Sequence, residues 1–368
     1  MTTTATGRLF TPARLGDLDL PHRLVMAPLT RNRAAADGTP TDLMATYYTQ
    51  RAAAGLIIAE AATPNPVGQT YPNIPGIHRD EHIAGWQQVT EAVQRAGGQM
   101  FLQLQHGGRV GHPDNSGLMP VAPSPIPLPE TIHTPAGRRE AVVPQELTAD
   151  DIQRTVADFA AAARNAVAAG FAGVEVHSAN GYLLHQFLAG NTNRRTDAYG
   201  GPVANRIRFT VEVVDAVAAA IGADRVGVRI SPANPANGID EGGDTAGLYS
   251  ALVTALADRG LAYLHIVQTD SADPLLRRIR DIWPGVLIAN PAKSGDSRDP
   301  GAIVAEAENL LAAGADLIAL GRAFLANPDL VHRLRIGAPL NEIREARLMY
   351  VGGPQGYTDY PALPEAAA

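Results

Sequence analysis

One pattern recurs along this chain and restricts the folds that it can adopt. An Ala-rich amphipathic stretch ends at a glycine, and a short run of β-forming residues follows; the glycines are Gly55, Gly98, Gly170, Gly260 and Gly314. Glycine after a helix is the usual left-handed cap, and the apolar run after it predicts a buried parallel strand. The chain is therefore predicted to alternate helices with parallel strands.

Three further apolar runs bring the number of predicted strands to eight. The predicted strands cover residues 24–27, 56–58, 99–104, 171–176, 225–230, 262–266, 285–289 and 316–320. Eight strands that alternate with helices favour a closed (β/α)8 TIM barrel, of class α/β, over an open sheet. We predict a single barrel domain over residues 1–368.

Two segments depart from the alternation. Residues 1–22, which carry the runs at 9–12 and 18–20, predict a small hairpin that closes one end of the barrel. Residues 106–147 are rich in proline and glycine, and so long a loop inside a compact domain is usually functional. Because this loop follows the third strand, we expect it to form a capping insertion over the catalytic face.

Composition excludes several classes of function. The formal charge is −7 and no basic run stands out, so nucleic acid and anionic membranes are not expected partners. The chain has no cysteine, which excludes disulfides and thiolate metal ligands. No apolar leader or membrane-length segment is apparent, and we expect a cytoplasmic protein. His78 and His82 lie four residues apart without a further ligand, so they are interpreted as surface histidines and no metal is expected.

The most informative motif runs from His177 to Tyr182 and directly follows a predicted strand. Parallel α/β folds place their chemistry at the carboxyl ends of strands. Neutral His177 and Asn180 can both donate to one developing oxyanion, and Tyr182 is near enough in sequence to supply a proton. A helix N-terminus with incidental polar residues is the structural alternative.

Further short motifs stand at successive predicted strand ends. They lie at residues 9–12, 26–31, 47–51, 55–58, 103–107, 177–188, 193–201, 321–322, 327–329 and 356–361. In order and spacing they resemble the Old Yellow Enzyme family of FMN-dependent ene-reductases. The resemblance implies a non-covalently bound FMN, with NAD(P)H as a transient reductant. It also implies small-molecule substrates with activated C=C bonds, which are α,β-unsaturated carbonyls, maleimides or nitro compounds.

The resemblance also implies which residues contact the flavin. Thr30 would lie near flavin O4 and N5, Gln103 at the pyrimidine edge, and Arg229 beside N1 and O2. Each has a structural alternative: an N-cap for Thr30, a polar residue facing the barrel interior for Gln103, and a salt bridge to a neighbouring strand for Arg229. The other implied ring contacts are Ala27, Pro28, Leu29, Ala61 and His177.

The FMN phosphate is expected after the seventh and eighth strands. Gly321 and Arg322 offer a bare amide and a bidentate cation there. The seventh-strand turn, residues 290–293, departs from the family's glycine-containing turn, and its Pro291 has no N–H. The Ala292 N–H and the charge of Lys293 are the remaining candidates on that side.

For the substrate, the resemblance makes His177 and Asn180 the donors to a carbonyl or nitro oxygen and Tyr182 the proton donor, with Thr30 nearby. Tyr350 corresponds to an aromatic residue near the mouth of the site. Gln105 stands where many relatives have tryptophan, so a wider and more polar pocket is expected. A reductase or desaturase devoted to one biosynthetic step and a non-catalytic flavin-binding scaffold remain alternatives. The assembly is expected to be a monomer or a homodimer.

Overall fold

The computed structural model describes residues 7–292 and 297–364, and its centre is a closed barrel of parallel strands. The strands are β1 (Leu24–Met26), β2 (Leu56–Ala62), β3 (Met100–Leu104), β4 (Gly173–Ser178), β5 (Val226–Ile230), β6 (Tyr263–Thr269), β7 (Val286–Pro291) and β8 (Leu317–Leu320). Each strand pairs with the next, and β8 pairs with β1. Every predicted strand overlaps one of these eight, so the predicted (β/α)8 barrel is confirmed.

A helix follows each strand and covers the outside of the barrel. The helices are α1 (Asp42–Thr49), α2 (Asp80–Arg95), α3 (Ala149–Ala168), α4 (Arg208–Ile221), α5 (Thr245–Ala257), α6 (Pro274–Ile282), α7 (Pro300–Ala312) and α8 (Leu330–Ile336). Helix α3 shows how the sequence sets their bounds. Thr148 and Asp151 form a capping box at its start, and Ile152, Phe159 and Ala163 lie on one buried face at helical spacing.

The helix-ending glycines behave as predicted at three of the five positions. The three with positive φ are Gly170, Gly260 and Gly314. Before β3 the left-handed residue is Gly97 rather than Gly98. Gly55 is not left-handed; a Cβ there would lie 2.5 Å from the carbonyl oxygen of His22, so close backbone approach excludes a side chain.

The predicted N-terminal hairpin pairs Ala13–Leu15 with Leu18–Leu20. Its Leu15 and Leu20 are buried in the interior cluster that contains Leu56 and Leu317, which stand at the starts of their strands. The hairpin therefore closes the amino end of the barrel. The run at residues 9–12 is not part of the hairpin, since a 3-10 turn spans Arg8–Phe10 instead.

The insertion at 106–147 has secondary structure of its own. It contains a 3-10 turn (Gly108–Val110), a short helix (Pro113–Ser116), a hairpin (Thr131–Thr134 with Gly137–Glu140) and a strand pair (Val121–Ala122 with Gln145–Glu146). Val110, Leu128 and Ile132 form its small core, and Tyr182 packs against that core. The insertion thus sits on the carboxyl end of the barrel. None of the described helices has both the length and the apolar composition needed to cross a bilayer.

Candidate active site

A cavity of about 700 Å³ opens at the carboxyl end of the barrel. It is lined by most of the predicted ring and substrate residues, which are Pro28, Leu29, Thr30, Gln103, Gln105, His177, Asn180, Tyr182, Arg229 and Tyr350. Residues of β3, β4 and β5 and of the segments after β1 and β4 thus converge on one space, as the barrel topology requires. Ala27 and Ala61 are buried at the end of β1 and in β2, outside this lining.

His177 and Asn180 lie where they can donate hydrogen bonds into the cavity. His177 is on β4, and burial together with the charge of Arg229 lowers the pKa of its imidazole well below the usual value. The ring is therefore neutral and has one N–H to donate. Asn180 has a φ of 55° and Gly181 one of 76°. This left-handed turn places the ring centre of Tyr182 5.3 Å from the ring centre of His177.

Tyr182 is partly buried and its phenol holds its proton. Burial raises the pKa of its hydroxyl well above the usual value, and the Tyr71 hydroxyl lies 3.5 Å away. A helix, Leu183–Leu188, does begin after the motif, but the Tyr182 side chain makes no capping hydrogen bond to it. The motif is thus a helix start whose polar side chains line the cavity. Tyr71 escaped the sequence analysis because nothing marks its loop as close to β4.

Below the cavity, the barrel interior carries a fully buried carboxylate. Gln103 Nε2 donates to Glu175 Oε1 over 2.8 Å, and His265 Nδ1 lies 2.8 Å from Glu175 Oε2. Burial alone would raise the pKa of Glu175, but His265 and Arg229 stabilise the anion and the net shift is downward. Gln103 therefore faces the barrel interior, as the structural alternative expects, and it also lines the cavity.

Arg229 lies in register with His177 on β4 and His265 on β6. Its Nη2 donates to Asn290 Oδ1 over 3.2 Å, and its Nε–H has no partner among the residues described. Burial lowers the pKa of the guanidinium, and the charge of Glu175 opposes this shift. No ion pair joins Arg229 to another described residue, so the salt-bridge alternative is not supported. A buried cation that lines a cavity, and whose Nε–H has no partner among the described residues, fits the anionic edge of a reduced flavin.

Thr30 belongs to the irregular segment between β1 and α1, and α1 begins at Asp42. The N-cap alternative for Thr30 is therefore wrong, because no helix starts after it. The neighbouring Arg31 fixes this segment: its Nη1 donates to the Tyr47 hydroxyl over 2.8 Å and its Nη2 to the Gly356 carbonyl over 2.7 Å. These contacts join the segment at 26–31 to the motifs at 47–51 and 356–361, which are distant from it in sequence.

The expected phosphate residues lie beside a second cavity of about 380 Å³. Gly321 follows β8, Arg322 starts the short helix Arg322–Ala326, and Arg322 lines this cavity. Ala346 lines both cavities, so the two adjoin. An elongated ligand with a flat ring at one end and a phosphate at the other fits this arrangement.

The seventh-strand side requires a correction. The Ala292 N–H donates to the Thr269 carbonyl over 3.0 Å, so it is not available to a phosphate. This bond continues the pairing between β6 and β7, which also matches Thr269 with Pro291. Lys293, the other candidate on this side, lies outside the described residues.

The prediction that His82 is a surface residue is also wrong. Its side chain is buried, and its Nε2 lies 2.9 Å from Arg79 Nη2 and 3.0 Å from the Asp37 carbonyl. Over residues 7–292 and 297–364, no cluster of three or more His, Asp or Glu side chains is arranged to hold a metal ion.

A neutral imidazole and an amide lie beside a partly buried phenol, and a guanidinium without an ion pair among the described residues lines the same cavity; at the carboxyl end of a (β/α)8 barrel this arrangement fits a flavin-dependent oxidoreductase. Residues 8–341 match the family model described as the NADH:flavin oxidoreductase / NADH oxidase family, and the chain belongs to this family. The resemblance to the Old Yellow Enzymes is thereby confirmed, as are the flavin cofactor and the nicotinamide reductant.

Individual relatives resemble the chain over nearly its whole length. 12-Oxophytodienoate reductase 1 of Oryza sativa subsp. japonica is 42% identical, over 97% of this chain and 93% of the relative. A probable flavin mononucleotide-dependent alkene reductase of Leishmania infantum is 41% identical, over 96% of each chain. The structure of morphinone reductase in complex with tetrahydroNAD superposes with a TM-score of 0.89, at 43% identity over 97% of this chain and 98% of the other.

Proposed function

We propose that this protein uses hydride from NAD(P)H to reduce the activated C=C bond of α,β-unsaturated carbonyls, maleimides or nitro compounds. One observation carries the proposal: a neutral imidazole and an amide line the same cavity as a fully protonated phenol. When bound, FMN supplies the hydride-accepting and hydride-donating centre between nicotinamide and alkene. The name of the Leishmania relative, an FMN-dependent alkene reductase, supports this choice of reaction.

The flavin ring would be held by the side chains of Thr30, Gln103 and Arg229. The other residues expected around the ring are Ala27, Pro28, Leu29 and, on β2, Ala61. Glu175 fixes the Gln103 amide, because a carboxylate accepts only and therefore turns the Gln103 Nε2 toward itself. The Gln103 oxygen and its second N–H are left for the ring. Gly321 and Arg322 would hold the phosphate in the adjoining cavity.

His177 and Asn180 would bind the carbonyl or nitro oxygen of the substrate. As hydride adds to the β-carbon, the π electrons move to this oxygen, where two donors stabilise the negative charge. Tyr182 then gives its proton to the α-carbon, which completes the saturated product. Water restores the Tyr182 proton, and the Tyr71 hydroxyl 3.5 Å away provides a partner for that transfer.

The width of the substrate pocket depends on Gln105, on the capping insertion and on Tyr350 at the mouth of the site. Gln105 is buried, and its Nε2 lies 3.4 Å from Thr70 Oγ1. His133 and Arg138 of the insertion line the cavity together with Tyr350, whose side chain is half exposed. We propose that the insertion shapes the entrance as a cap.

A reductase devoted to one biosynthetic step is the second candidate. Gln105 and the similarity to a 12-oxophytodienoate reductase favour it. The non-catalytic scaffold has less support, because His177, Asn180 and Tyr182 converge in one cavity. The monomeric or dimeric state, the absence of nucleic-acid partners and the cytoplasmic location stay predictions.

Steady-state assays test these proposals. Purified protein that has been incubated with FMN and then freed of unbound FMN by gel filtration should be yellow, and it should oxidise NADH or NADPH when 2-cyclohexenone is added. Protein that is colourless after gel filtration would refute the proposal. A panel of enones, maleimides and nitroalkenes separates the two candidates: comparable turnover across the panel supports the broad reductase, and turnover of a single class supports the dedicated one.

A further inference from the structure

We propose that Asn234 sets the direction of the Asn180 side-chain amide, so that Asn180 presents its N–H and not its C=O to the substrate. This inference rests on the proposed function, which gives Asn180 the role of an oxygen-binding donor. Asn234 is half-buried in the segment after β5 and is not among the residues that line the cavity. It would therefore be a positioning residue.

The backbone of Asn180 is held from two sides. Its N–H donates to Ser231 Oγ over 2.8 Å, and its carbonyl accepts from Asn237 Nδ2 over 2.7 Å. These bonds hold the left-handed turn at Asn180, but they do not determine which end of its amide faces the cavity. The two ends have nearly the same shape, and half a turn of the amide exchanges a donor for an acceptor.

A chain of hydrogen bonds with forced direction settles this choice. It begins at the Ala236 backbone N–H, which can only donate and lies 3.0 Å from Asn234 Oδ1. Asn234 must therefore direct its NH₂ group away from Ala236, and this Nδ2 donates to Asn180 Oδ1 over 3.2 Å. Because the Asn180 oxygen is occupied by Asn234, its own NH₂ is left for the cavity that Asn180 lines.

The direction matters because a substrate oxygen becomes negative during the reaction. An N–H at this place stabilises the charge, whereas a carbonyl oxygen would repel it. The ground-state carbonyl also needs a donor, so the effect extends to binding. A reversed Asn180 amide is therefore expected to weaken both the affinity for a neutral enone and the rate of its reduction.

Two isosteric variants test the inference on the FMN-loaded enzyme. Asn234→Asp keeps the shape and the bond from Ala236 but offers Asn180 only an acceptor, so the Asn180 amide should reverse. Asn234→Leu removes the contact without imposing a direction. We expect Asn234→Asp to weaken binding of 2-cyclohexenone to the oxidised enzyme by about tenfold, and Asn234→Leu to weaken it less. The dissociation constants come from the change in flavin absorbance, and a neutral ligand limits the effect of the added charge.

A purely structural role for Asn234 predicts the opposite order, since aspartate fits the site better than leucine. Asn191→Asp is the matched control: Asn191 supports the same segment through Gly238 and Asp240 and has no hydrogen bond to Asn180. Its enone affinity should stay within about twofold of wild type.

The Asn180→Ala variant separates the proposed role of Asn180 from the inference about Asn234. If it binds enone as tightly as wild type, the proposed role of Asn180 fails and the inference fails with it. If Asn180→Ala binds weakly while Asn234→Asp binds like wild type, or better than Asn234→Leu, only the inference is overturned.

Discussion

Replacing Arg229 by methionine tests whether this guanidinium tunes the flavin. Arg229 is buried, its Nε–H has no partner among the described residues, and burial lowers its pKa. Glu175 compensates this charge only in part, so Arg229 can stabilise a further anion. The oxidised flavin ring is neutral and the reduced ring is anionic, so the loss of Arg229 should destabilise the reduced form selectively and lower the reduction potential.

The size of the effect follows from the charges involved. Two unit charges in contact interact by about 4 kcal/mol in an effective dielectric constant near 20. For a two-electron couple, 1.4 kcal/mol corresponds to about 30 mV, so the full interaction is worth about 85 mV. Glu175 lies close enough to influence the charge of Arg229 and offsets part of this. We expect the potential of Arg229→Met to fall by about 40 to 85 mV.

The assay is anaerobic spectrophotometric titration of the FMN-loaded protein against a dye of known potential, after unbound FMN has been removed. Arg229→Lys is the matched control, because it keeps the charge but loses the planar fork. Its reduction potential should fall by less than half as much as that of Arg229→Met. The role of the charge would be refuted if the potential of Arg229→Met changed by less than about 10 mV, or if the potentials of both variants fell equally.

Three further variants test other parts of the account. Tyr182→Phe should slow flavin reoxidation by an enone in stopped-flow measurements and leave flavin reduction by NAD(P)H unchanged; an equal loss in both would indicate a structural role. His177→Ala should slow the enone step by about 10²- to 10³-fold, the usual cost of one oxyanion donor, and an unchanged rate would contradict the assignment. Because the pKa of His177 lies well below its usual value, wild-type enone affinity should be flat between about pH 6 and 8, without a titration near 6.5. Gly227→Ala should lower the free energy of unfolding by about 1 to 3 kcal/mol in urea titrations, since a Cβ there overlaps the ring of Tyr263, and unchanged stability would show that the barrel relaxes around it.

The barrel was predictable from local signals. A helix, a glycine and an apolar run are each encoded within a few residues, and their repetition leaves few topologies. The motif from His177 to Tyr182 was predictable for the same reason, because its position after a strand places it on the catalytic face. The sequence did not show that Asn180 adopts a left-handed conformation, since asparagine is common in many other conformations.

Residues whose roles depend on strand register could not be predicted. Glu175 and His265 meet inside the barrel only because β4, β5 and β6 close with a particular stagger. Asn234 reaches Asn180 only because two loops at neighbouring strand ends fold toward each other. The same limit explains why the prediction for Ala292 was wrong: its N–H donates to Thr269 on β6 and so cannot bind the phosphate. In each case the partner is distant in sequence.

Isotope transfer through the complete enzyme tests the central claim most directly. The FMN-loaded protein is mixed anaerobically with 2-cyclohexenone and one equivalent of NAD(P)H that carries deuterium at the transferred position of C4. The enone is present from the start, because a hydrogen held by a reduced flavin exchanges with water. The account predicts that the flavin absorbance returns and that cyclohexanone carries the deuterium at its β-carbon, with the α-carbon proton taken from solvent by way of Tyr182. A flavin that stays reduced, or deuterium at the α-carbon, would contradict it.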